Sequence, residues 1–190
     1  SLIQASSNLV TIEQSSKAGI IYTSLILEES EASQSDEIAL EAFNFDRCIE
    51  QCIDMFREGK VVLKNIQFKC KLDSVGEILS SKLHVKIIIN NLLSNAVNYT
   101  PQNGSISVIV TVKIEDEVES LVLIIKDSGN GISKENIEKI RTRFKVCGDQ
   151  SRFERLGDTS ANQGSGVGLV NVLHCVSLLK GEIGVKSKGE

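Results

Sequence analysis

Three asparagines, Asn91, Asn95 and Asn98, recur at helical spacing within Ile87–Thr100, while Leu92, Leu93, Ala96 and Val97 can face a core. Asparagine is a middling helix former, so a stripe of amides gains nothing in packing unless it meets a polar partner. A ligand is one such partner: amide oxygens suit Mg²⁺, which demands oxygen ligands, keeps several waters and is usually shared with nucleotide phosphates. Taken alone, an exposed polar helix face explains the stripe more simply.

Two other stretches carry chemistry. In Leu121–Ile132 an apolar strand ends in the carboxylate of Asp127 and runs into a loop with Gly129 and Gly131 two apart. A carboxylate there can accept from the exocyclic amine of adenine, whereas guanine would present a carbonyl and leave both acceptors unpaired. The glycines would let backbone pass beneath a base; a tight turn is an equally good reading of the loop by itself. In Gly164–Leu169 the run Gly164, Ser165, Gly166, Val167, Gly168 and Leu169 leads directly into an apolar helix. Free N–H groups and the positive end of the helix dipole bind anions at such a start. This run alone is a weak signal, since no GK[ST] follows it and no dinucleotide-type βαβ unit surrounds it.

Positioning these residues requires a scaffold that alternates helix and strand. Residues 1–31 hold one glycine, Gly19, and no proline, and Leu2, Leu9, Ile12, Ile20, Leu25 and Leu27 predict a helix with an apolar stripe. Residues 28–37 read as a solvated helix end and linker, which places a domain boundary near residue 40. A short strand at Ala42–Phe45 precedes a helix from Asp46, as N-cap, to Glu58, stopped by Gly59. Strands at Ile66–Leu72 and Glu77–Leu79, a long helix at Lys82–Asn98, and an antiparallel pair, Ser105–Ile114 and Leu121–Lys126, turning around Asp116, follow. Lys134–Arg143 reads as helix, 144–163 as a polar loop, Val167–Leu179 as an apolar helix and Glu182–Lys186 as a final strand. The fold class is α+β, a two-layer sandwich of a mixed, mainly antiparallel sheet with helices on one face.

Composition narrows the function. The 190 residues are 41% hydrophobic and 24% charged with a formal net charge of −4, which gives no general attraction for nucleic acid or anionic membrane. No apolar run approaches the roughly 18 residues of a membrane span, and the Ser-rich start is not a signal peptide, so cytoplasmic placement is expected. Five scattered cysteines without a CxxC pair indicate reduced thiols; Cys48 and Cys52, four apart on one helix, read as small buried side chains.

The order of the motifs is more specific than any one of them. Asn91–Pro101 (NLLSNAVNYTP), Asp127–Ile132 (DSGNGI) and Gly164–Leu169 (GSGVGL) resemble the N box and the two glycine boxes of histidine kinases, in the gyrase/chaperone/histidine kinase/MutL ATPase superfamily. The resemblance spans 41–190 and implies an ATP-binding catalytic domain. It implies that Asn95 and Asn91 hold Mg²⁺, that Asp127 binds the adenine amine, and that Tyr99 packs near the nucleotide. Gly129, Gly131 and Ile132, with Gly164, Ser165, Gly166, Val167, Gly168 and Leu169, would line the site. Residues 133–163 would form a lid in which Ile140–Phe144 resembles the F box and either Arg143 or Lys145 meets the γ-phosphate.

Asn91 stands where hydrolytic members resembling this pattern place a glutamate base, and an amide cannot serve as one, so transfer of the γ-phosphate of ATP to a separate histidine is favoured. Asn98 stands where many relatives carry lysine, which removes a positive charge from the phosphate end; Ile87 replaces a usual glutamine and Arg141 a common aromatic. Residues 1–40 resemble the second helix of a dimerisation hairpin. Neither His84 nor His174 is placed like a phosphoacceptor, which is expected on a hairpin outside this chain. One further strand is expected beyond residue 190. The partners implied are ATP, that histidine, a response regulator or receiver domain and, in the full-length protein, a second copy, with a membrane anchor compatible with the family. The alternative is a degenerate kinase-like domain that docks or dimerises with weak or no nucleotide binding.

Overall fold

The computed structural model describes residues 9–12, 38–115, 118–146 and 167–187. Strand β5 (Ser105–Glu115) pairs in parallel with β3 (Gln67–Leu72) and antiparallel with β6 (Val118–Asp127), giving the order β3-β5-β6. Ile106, Val108 and Val110 alternate along β5 and are buried against Leu123 and Ile125 of β6. This is the period-two pattern of a strand with one face in a core.

Three helices cover that face. Helix α1 (Phe45–Arg57) contributes Phe45, Cys48, Ile49, Cys52 and Ile53 to the core, so both cysteines are the buried side chains that their spacing suggests. Helix α3 (Lys82–Tyr99) contributes Val85, Ile88, Ile89, Leu92, Leu93 and Ala96. Helix α5 (Val167–Leu178) contributes Val172, Cys175 and Val176 and packs on α3. Leu92, Leu93 and Ala96 have no exposed surface, which makes α3 the central helix of the layer. A small antiparallel pair, β2 (Glu41–Asn44) and β4 (Glu77–Ser80), lies beside them. The α+β sandwich with a mixed sheet is therefore the fold.

Four local expectations are corrected. Leu9–Ile12 is not helical: it forms strand β1, paired in parallel with β7 (Glu182–Val185), Leu9 opposite Glu182 and Ile12 opposite Val185. The run Val10-Thr11-Ile12 is β-branched throughout and favours extended backbone once a partner strand is offered. The rest of the expected amino-terminal helix and linker, 1–8 and 13–37, lies outside the described residues.

The first helix is capped by Asn44, whose side chain accepts from Arg47 N at 2.8 Å, and not by Asp46. Asp46 is engaged elsewhere: its carboxylate accepts from Ser74 Oγ, Val75 N and Gly76 N at 2.9, 2.9 and 3.2 Å. Four residues read as connection, Lys60–Leu63, form a short helix, α2. Helix α4 (Lys134–Val146) runs three residues past its expected end at Arg143.

Candidate functional site

Helix α3 presents the asparagine stripe. Asn91 is 2% exposed, and its Nδ2 donates to Ile87 O at 2.9 Å, one turn back in the same helix. That bond uses the amide nitrogen and leaves the oxygen as the group it offers elsewhere. A Cβ added to Gly168, in the first turn of α5, would stand 2.9 Å from Asn91 Oδ1. The absence of a side chain at Gly168 is thus what admits the amide oxygen to the start of α5. Asn95, one turn on, is 8% exposed. The neighbouring Asn90 Oδ1 is buried without a partner. Buried amides left this way are costly in a finished core and suited to a polar occupant.

The other end of α3 is tied to the strand that carries the carboxylate. Thr100 stops the helix: it precedes Pro101, has extended backbone (φ −68°, ψ 125°), and folds its Oγ1 back to Ala96 O at 2.6 Å. A Cβ at Gly104 would collide with the Thr100 methyl and stand 2.7 Å from Ser128 Oγ. Ser128 Oγ accepts from Ser105 N at 2.8 Å, and Ser128 N donates to Ser105 O at 3.0 Å. Asp127, opposite Ile106 at the end of β6, is held one residue from this joint. Its Oδ1 accepts from Gly129 N at 2.8 Å. Gly131 adopts φ +77°, a backbone that side chains disfavour, and Ile132 N donates to Ser187 Oγ at 2.9 Å, which ties the loop to the segment after β7.

The stripe therefore has the glycine-bearing start of α5 at its first member and the carboxylate-bearing strand end near its last. Residues 91 to 100 span roughly 13 Å of helix, a length that an extended nucleoside triphosphate can follow. Tyr99 is half-buried beside this end, and burial raises its phenol pKa, which keeps the ring neutral with its hydroxyl protonated. Asn98 is half-buried, and its Oδ1 accepts from Lys60 Nζ at 2.8 Å. Gly164, Ser165 and Gly166 lie outside the described residues, as do 147–163 of the expected lid. Arg143 and Lys145 sit on α4, with side chains outside the description. His84 bonds Ser81 Oγ at 2.8 Å at the start of α3, and His174 is exposed on α5.

Sequence reasoning passed over Lys60, Lys64, Gly104 and Ser128, all of which shape this end of the site. The available signal was the pair of lysines four apart in Lys60-Val-Val-Leu-Lys64, between Gly59 and Asn65.

A two-layer sandwich whose buried amides meet a glycine at a helix start, with a strand-end carboxylate tied to the same helix, is the framework of an ATP-binding domain. The sequence profile of the histidine kinase-, DNA gyrase B- and HSP90-like ATPases matches residues 80–190, more than half of the chain, and the chain belongs to that family. Within it the likeness is to the catalytic ATP-binding domain of sensor histidine kinases. The sensor protein kinase PmrB of Pseudomonas aeruginosa is 32% identical over 122 residues, 64% of this chain and 23% of that protein. The sensor histidine kinase WalK of Bacillus subtilis is 33% identical over 96 residues, 50% of this chain and 14% of that protein. The chain thus spans less than a quarter of either. The Acinetobacter baumannii histidine kinase AdeS shares the fold, with a TM-score of 0.57 at 20% identity, over 87% of this chain and 68% of the other. Among the described residues no helix is long and apolar enough to cross a membrane.

Proposed function

We propose that this domain binds Mg-ATP and passes the γ-phosphate to a histidine on a dimerisation hairpin outside this chain, as a step of two-component signalling toward a response regulator or receiver domain. The observation that carries the reading is the approach of Asn91 Oδ1 to Gly168, because it joins a buried amide oxygen to the helix start whose N–H groups suit a phosphate. In this reading Asn91 and Asn95 offer oxygens to Mg²⁺. The fit rests on Asn91, whose nitrogen is already spent on Ile87 O, so that an oxygen and not an N–H is what it offers. When bound, the ion would neutralise phosphate charge.

The chain's own residues position the nucleotide. Asp127, whose Oδ1 accepts from Gly129 N, is the carboxylate that meets the adenine amine in this reading, while Tyr99 flanks the base with Gly129, Gly131 and Ile132. Gly164, Ser165, Gly166, Val167, Gly168 and Leu169 take the phosphates at the start of α5, and Arg143 or Lys145 meets the γ-phosphate from the lid. No carboxylate stands at position 91 to activate water, so the acceptor is the imidazole nitrogen of the outside histidine and ADP is the leaving group. The full-length protein is read as a cytoplasmic or membrane-anchored homodimer.

The test is calorimetric titration with Mg-ATP, followed by incubation of the loaded domain with an intact phosphoacceptor hairpin. Saturable binding and acid-labile, alkali-stable phosphate on the hairpin are expected. Binding without transfer would reject the kinase assignment. Absence of binding at millimolar Mg-ATP would establish the docking module instead, and steady phosphate release without a hairpin would indicate a hydrolase.

A further inference from the structure

Lys60 opens α2 and Lys64 caps its end, four residues on, and their ammonium groups meet different surroundings. Lys64 Nζ donates to three main-chain oxygens at the end of α3: Val97 O at 3.0 Å, Asn98 O at 2.9 Å and Thr100 O at 2.9 Å. An ammonium has three donors, and the last turn of a helix carries about half a negative charge. Lys64 is therefore consumed by the end of α3, and it discharges the helix pole that would otherwise repel an anion lying along the stripe.

Lys60 is held differently. Its Nζ makes one hydrogen bond, to Asn98 Oδ1 at 2.8 Å, from a position 38 residues earlier in the chain. The amide that holds it is neutral, and no carboxylate pairs with it among the described residues. A neutral tether fixes a charge in place without cancelling it. The element carrying Lys60 is itself anchored: Val61 is buried in the core, Asn103 N donates to Lys64 O at 2.8 Å, and Asn65 Nδ2 donates to Asn103 Oδ1 at 2.9 Å. Asn65 and Asn103 both adopt left-handed backbone, at φ +50° and +62°, which asparagine tolerates better than most side chains.

We propose that Lys60 is a phosphate-binding residue of the nucleotide site, brought to the asparagine stripe by Asn98, which presents an oxygen to the ammonium and so borrows a cation from another element. The proposal rests on the nucleotide reading, which runs the nucleotide along the stripe from the γ-phosphate at the start of α5 to the base at Asp127, so that the phosphate nearest the base is the one Lys60 meets. The stripe is uncharged, Mg-ATP keeps net negative charge, and a compact ammonium is a suitable point charge for phosphate oxygens. Position 98 is thus not short of a positive charge; the charge is supplied by contact.

The experiment is titration of the whole chain with Mg-ATP at several salt concentrations, together with urea unfolding, for the wild type, Lys60→Gln, the double variant Lys60→Gln/Asn98→Lys, and Lys64→Met. Lys60→Gln is expected to weaken Mg-ATP about tenfold and to flatten the salt dependence while leaving the unfolding midpoint unchanged. The double variant, which returns the ammonium to the stripe from α3 itself, should restore both affinity and salt dependence. Lys64→Met should lower the unfolding midpoint. Wild-type affinity in Lys60→Gln, or a loss that Asn98→Lys does not repair, would overturn the assignment. A wild-type chain that takes up no Mg-ATP would fail the nucleotide reading itself and carry this one with it, a result distinct from a loss confined to the variants.

Discussion

Two glycines placed against α3 show how differently its two ends are built. At Gly104 the space for a side chain is closed on three sides, by the Thr100 methyl, Ser128 Oγ and the Pro101 carbonyl oxygen. At Gly168 the group in the way, among the described residues, is the amide of Asn91. The first glycine closes a joint between helix, turn and strand. The second leaves room at a helix start for a polar side chain, the amide of Asn91. One glycine is fixed by the chain's own packing, the other by what the proposed ligand site requires.

That contrast is open to direct attack. The largest effect is expected from Gly104→Ala, where the added methyl meets a methyl, a hydroxyl and a carbonyl at once. It should cost about 3 kcal/mol of stability, the upper range for overpacking, read as a shift of the urea midpoint. Nucleotide affinity should be retained in the fraction still folded. An unchanged midpoint would mean that the joint yields easily and the contrast with Gly168 is empty.

Next comes Asp127→Asn. It preserves an oxygen for Gly129 N but replaces the other oxygen with a donor facing a donor, so Mg-ATP affinity should fall about 30-fold, equivalent to about 2 kcal/mol. The unfolding midpoint should stay near that of the wild type, and calorimetry with parallel unfolding curves separates the two. The smallest effect is expected from Gly168→Ala, because Asn91 is a side chain able to give by a few tenths of an ångström. A loss of about 1 kcal/mol in Mg-ATP affinity with stability changed by less than about 0.5 kcal/mol would sharpen the comparison. A loss of stability like that of Gly104→Ala would abolish it.

Much of this was legible because it is written locally. The alternation along β5 and β6, the apolar stripe of α3 with its asparagines on another side, and the glycine run before α5 are short-range patterns set by the periods of strand and helix. The proline after Thr100 marks the end of α3 for the same reason. These patterns also placed Asp127 at a strand end and Gly168 at a helix start. The formal net charge of −4 gives no general electrostatic attraction for nucleic acid.

Tertiary structure decided what depends on a distant partner. Leu9–Ile12 reads as part of a helical stripe until β7 offers it an edge. Asp46 reads as a helix cap until the 74–76 turn claims its carboxylate, which leaves the cap to Asn44. Nothing near Asn98 in sequence announces Lys60, and nothing near Gly104 announces Ser128. Propensity and periodicity act over a few residues, so a sequence reports its elements directly; a hydrogen bond closed across 38 residues leaves no local trace and exists only once the core has brought its two ends together.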